Sequence, residues 1–95
     1  MANVAKHELT VVDDEGNELK CQLSDIGRDT LEIVIALIMP SGTERPKYLT
    51  AGELILNSCW VSGDERIKTD EQLKISASLA AIKIYEVKKT TLKKL

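Results

Sequence analysis

Ninety-five residues, 43% of them apolar and 29% charged, make one folded domain, residues 1–95, and exclude both a disordered chain and an enzyme built as two lobes around a cleft. Aromatic residues are only 3% and phenylalanine is absent, so Leu, Ile, Val and Ala must fill the interior, and base stacking on an aromatic platform is disfavoured. The formal charge of −2 divides unevenly, with eight acids against three bases in residues 1–40 and seven against ten in residues 41–95.

The N-terminal MANVAKHEL has no apolar core of signal-peptide length, and the longest apolar run, Ile33 to Met39, is too short to span a bilayer. Cys21 and Cys59 lie far apart, without the close pairing of metal or redox motifs. These features predict a cytoplasmic protein with reduced, buried thiols, no cofactor, no metal and no membrane partner.

From His7 to Leu23, the residues Leu9, Val11, Leu19, Cys21 and Leu23 alternate with polar neighbours, the period of a strand with one wet face. The intervening Asp-Glu-Gly-Asn is a turn in which Gly16 or Asn17 takes positive φ, so residues 7–23 read as a β-hairpin. The same acids lack the alternating ligands and closing glutamate of a calcium loop.

The rest, residues 24–95, reads as helical. Ser24-Asp25 starts a first helix whose regular part begins near Asp29, with Ile26, Leu31, Val34, Ile35 and Ile38 on one side and Arg28, Asp29 and Glu32 on another; Pro40-Ser41-Gly42 ends it. A loop of residues 40–48 follows, holding both prolines. Thr50-Ala-Gly-Glu53 is a capping box predicting a second helix from about Ala51 to Ser62, closed by Gly63 as a left-handed cap. Thr69-Asp-Glu-Gln72 is a second capping box, opening a third and longest helix from about Asp70 to Lys93. On this reading the stretch ILNSCWVSGDERIKTDEQL, residues 55–73, is an elbow between two helices. The predicted class is α+β: an N-terminal hairpin followed by three α-helices.

Leu73, Ala77, Ala80, Ile84 and Val87 recur at four-three spacing on the last helix, an apolar stripe for the core or for a partner. Trp60 is the remaining candidate contact: with Tyr48 and Tyr85 it suits an interface, and with Leu56 and Cys59 beside it a core position, which is the favoured reading. Lys83, Lys88, Lys89, Lys93 and Lys94 complement the end of a helix better than they make a nucleic-acid arm, since no arginine accompanies them. His7 is the only histidine and belongs to no nucleophile motif. Asp64, Glu65, Asp70 and Glu71 have places at helix ends, so no catalytic residue is assigned.

The order of hairpin, helix, loop and then AGELILNSCWVSGDERIKTDEQLKISASLAA resembles the small tail assembly chaperones of tailed bacteriophages, chiefly over residues 9–23 and 49–85. The resemblance implies a phage or prophage product that binds the tape measure protein, keeping its apolar helices soluble while tail tube subunits polymerise. Apolar stripes of the last two helices would cover the client and then release it. The alternative is a small virion component, a tail or connector protein, that assembles into a homo-oligomer. An enzyme and a nucleic-acid-binding module are the disfavoured classes.

Overall fold

The computed structural model describes residues 4–40 and 42–84. The expectations that fall on Tyr85, Val87, the later lysines and a helix reaching Lys93 lie outside the described residues.

The first two strands, β1 (His7–Val12) and β2 (Glu18–Leu23), form the predicted antiparallel hairpin with Leu9 opposite Cys21 and Val11 opposite Leu19. Asp13 makes the turn. Its Oδ1 accepts the backbone N–H groups of Glu15 at 2.9 Å and Asn17 at 2.8 Å, and Gly16 takes φ 84°. Alternation then sends Leu9, Val11, Leu19, Cys21 and Leu23 to one buried face and Glu8, Thr10, Glu18, Lys20 and Gln22 to water.

Helix α1 (Arg28–Ile38) begins one residue earlier than its sequence suggested and ends ahead of Pro40. Helix α2 spans Tyr48–Cys59, which corrects the second helix at both ends. Thr50 lies inside its first turn, so the first capping box does not form. The N-cap is Lys47, whose backbone N–H donates instead to Leu37 O at 2.8 Å and ties the start of α2 to the end of α1. At the other end, Trp60–Gly63 is a strand, β3, antiparallel to β2. The sheet therefore has three strands in the order β1-β2-β3, rather than a hairpin alone.

The physical reason is the open edge of β2, whose backbone groups need partners. An aromatic and a β-branched residue, Trp60 and Val61, suit a strand there better than another helical turn. Gly63 is accordingly no helix cap. It ends the strand opposite Cys21 at φ 149°, so close to β2 that a Cβ would stand 2.8 Å from Lys20 O.

A single helical turn, α3 (Arg66–Thr69), follows where the sequence suggested only a bend, and it is held inward by fully buried Ile67. Helix α4 (Glu71–Ala81) is capped by Asp70, whose Oδ1 accepts from Gln72 N at 3.1 Å and Leu73 N at 3.2 Å. Thr69 is occupied elsewhere, its hydroxyl donating to Glu65 O at 3.2 Å, so the second box is replaced by an aspartate cap one residue on. After Ala81 the chain tightens into a 3-10 turn, Ile82–Ile84. Four helices are thus present among the described residues, and α2, with 12 residues, is longer than α4, with 11. None is long and apolar enough to cross a membrane.

Helices α2 and α4 cross and cover the sheet, burying Ala51, Ile55, Leu56, Cys59, Ala77 and Ala81 against Leu9, Val11, Leu19, Cys21 and Leu23. The crossing is close because Gly52 faces the backbone of Ser78, where a Cβ would lie 2.6 Å from the carbonyl carbon. Small residues are required there, and the Ser78 hydroxyl, fully buried, has no hydrogen-bond partner. Helix α1 packs chiefly on α2 and adds Val34, its one fully buried residue, to this core, with Leu37 and Ile38 half-buried against it.

Candidate functional site

The residues of the predicted partner stripe divide among different surroundings. Ala77 is fully buried under α2 and belongs to the core. Leu73, half-buried, lines a polar cleft of about 220 Å³ shared with Asp13, Asp14, Arg66 and Asp70. Ala80 and Ile84, one turn apart at the end of α4 and its 3-10 extension, are brought together on an apolar cleft of about 280 Å³ against Leu9 and Leu23 of the hairpin. Trp60 is on neither wall. It is half-buried at the start of β3, packed against the core, with the Lys68 ammonium 4.6 Å from the centre of its ring. Val87 lies outside the described residues.

The apolar cleft lies between β1, an edge strand of the sheet, and the end of α4 with its 3-10 extension. Its floor is aliphatic, and His7, Glu8 and Lys83 stand at its rim. His7 is held in place by Asp25, with Nε2 2.8 Å from Oδ1, which fastens the first residue of β1 to the segment leading into α1. Beneath it, the link from β2 to α1 is fixed by Ser24 N–H donating to Cys59 O at 2.7 Å and by the Cys59 thiol 3.8 Å from Asp25 O. The wall of the cleft is therefore tied both to the sheet and to the end of α2.

Asp13 and Asp70 line the polar cleft as turn and helix-cap residues, and Arg66 of the same lining is engaged by Asp64 outside it. Asp64 receives Arg66 twice, from Nε at 3.1 Å and from an amino nitrogen at 2.8 Å, and this guanidinium holds its carboxyl below the usual range. Asp13 is lowered likewise, first by the Asn17 backbone N–H. Desolvation raises both thiols, Cys21 to about 11, so neither is primed as a nucleophile at neutral pH. Among the described residues, no three His, Cys, Asp or Glu side chains converge as a metal centre would need.

One surface was missed in the sequence. Ile33 is 53% exposed and Met39 64% exposed on and just after α1, and beside them Tyr48 and Leu49 open α2 from an exposed position. The signal was present in Ile33, which lies off the stripe of Leu31, Val34 and Ile38 and makes α1 apolar around most of its circumference. No protein-family model, no curated protein and no solved structure matches the chain.

Proposed function

We propose that this chain is a non-enzymatic protein-interaction domain of a tailed phage or prophage, a tail assembly chaperone that holds apolar helices of the tape measure protein until the tail tube encloses them. The observation that carries the reading is the apolar cleft where Ala80 and Ile84 meet Leu9 and Leu23. A cleft of this size takes one or two large aliphatic side chains and suits an amphipathic helix presenting Leu or Ile anchors at successive turns. The rim of Glu8 and Lys83 orients such a helix without adding much affinity, since both groups are exposed. A small contact of this kind is reversible, as a chaperone that must surrender its client requires. The resemblance of residues 9–23 and 49–85 to the chaperones supplies the choice of client.

The test is titration calorimetry of the purified chain with helical fragments of the tape measure protein from its source. Binding with a negative heat-capacity change, weakened at least about tenfold by Ala80→Glu or Ile84→Asp in variants that keep the parent's circular dichroism, is the expected result. Absence of binding to every fragment, or binding indifferent to both substitutions, would overturn it. A second reading, a small virion component that assembles with itself, is favoured by one observation, the apolar surface left uncovered on α1.

A further inference from the structure

We infer that the outer flank of α1 is a self-association surface, on which a second copy of this chain packs its own α1 antiparallel about a two-fold axis. Three features of the flank lead there. At helical spacing, Asp29, Ile33, Ala36 and Leu37 form one continuous strip, of which Asp29, Ile33 and Ala36 are exposed and Leu37 is half-buried. Ile33 is the large apolar residue at its middle, and Ala36 beside it lets a second helix come close.

The two ends of the strip differ in charge. The N-terminal end carries Asp25, Arg28, Asp29 and Glu32, three acids to one base, while the C-terminal end meets the loop with Glu44, Arg45 and Lys47, one acid to two bases. Lys47 is fixed at that end by its backbone bond to Leu37 O. Asp25 is engaged by His7 and Glu32 by Arg28, whereas among the described residues Asp29, Arg45 and Lys47 take part in no ion pair.

Only an antiparallel pairing sets the acidic end of each helix against the basic end of the other while Ile33 meets its counterpart near the axis, as an isologous contact demands. A parallel pairing would oppose Asp29 to Asp29 and Arg45 to Arg45. The helix of 11 residues is about 16 Å long, so the contact falls below the ~1,200 Å² of a standard interface and should dissociate on dilution. The four residues of the strip are distinct from those lining the cleft, so the two surfaces can be tested by separate substitutions.

Sedimentation equilibrium over a dilution series tests it. The expected result is a reversible monomer–dimer equilibrium that Ile33→Asp weakens at least about tenfold. Asp29→Lys should weaken it and abolish or invert the weakening by salt expected of the parent, and combining Asp29→Lys with Arg45→Glu and Lys47→Glu should restore it. Ile33 is exposed, so Ile33→Asp should keep the parent's melting temperature in dilute solution, and a variant that loses it is replaced by Ile33→Ser. A chain that stays monomeric at the highest soluble concentration, or a dimer that Ile33→Asp and the charge reversals leave unchanged, would overturn the proposal. Loss of client binding with self-association intact would count against the cleft alone.

Discussion

At the scale of single residues, two positions show how a local hydrogen bond decides where a helix starts. Asp70 gives one carboxylate oxygen to two otherwise unpaired N–H groups at the head of α4, whereas Thr50 sits within the first turn of α2, whose N-cap has no side-chain bond at all. Replacing Asp70 by Ala should therefore cost about 1 kcal/mol, while Thr50→Ala should stay within about 0.5 kcal/mol of the parent. Urea midpoints of the two variants measured together decide the matter, and equal losses would restore the capping box at Thr50. The thiols supply a pH dependence. Burial raises Cys21 from its ordinary 9.0 to about 11, so the folded state disfavours the thiolate. The corresponding stability is fully present below about pH 9 and is lost as pH rises towards 11. Stability of the parent should fall across that window, and Cys21→Ala, whatever its overall cost in packing, should fall less. Parallel curves for the two proteins would remove Cys21 as the cause.

At the scale of elements, the central contact is the crossing of α2 and α4, and its requirement can be stated as one missing methyl group. A Cβ at Gly52 runs into the backbone of Ser78, which no rotamer change relieves, so Gly52→Ala should cost about 3 kcal/mol, with Gly27→Ala, where nothing lies within 4 Å and only an N-cap preference of at most about 1 kcal/mol is lost, as the control. Thermal melts of both variants are sufficient, and a tolerated Gly52→Ala would mean that the helices cross further apart. Elements fixed by their own residues were legible in the sequence: the hairpin, because period-two alternation and an Asp-led turn are local signals, and α1, because its stripe and Pro40 bound it. Elements fixed by distant partners were not. Trp60 and Val61 belong to a strand only because β2 offers an open edge across nearly 40 residues of chain, and AGELILNSCW continues as a plausible helix until that edge is known. The candidate site follows the same division. Ala80 and Ile84 were identified by spacing, but spacing could not show that Ala77, on the same stripe, is enclosed by α2, nor that Leu9 and Leu23 would come to face Ile84. Ile67 was passed over because a lone isoleucine among charged residues reads as a turn, and only the fold shows what it plugs.

At the scale of the whole molecule, stability is distributed unequally, and that inequality bears on function. The sheet, α2 and α4 supply nearly all of the continuous core, to which α1 adds Val34 alone as a fully buried residue, with Leu37 and Ile38 half-buried against it. Opening α1 therefore exposes less apolar surface than opening any other part of the core, and it should cost less than global unfolding. Native-state hydrogen exchange followed by mass spectrometry should find amides of residues 28–38 exchanging through a sub-global opening with weak denaturant dependence. Those of β2 and of Ile55 to Cys59 should exchange only through global unfolding. One exchange free energy shared by all of these segments would show instead that α1 is part of the core unit. Concentration adds a second axis to the same experiment. Binding that is specific to the folded helix stabilises it by mass action, so a second copy seated on Ile33 must slow exchange in α1 as the protein is concentrated, and it slows the slowest amides of β2 by the same free energy because global unfolding also dissolves the pair. A client helix in the cleft differs at α1: it protects β1 and the end of α4 and leaves the sub-global opening of α1 as it was. The two occupants thus write different patterns on one molecule, because the cleft is built on the most stable part of the fold and the self-association surface on the least.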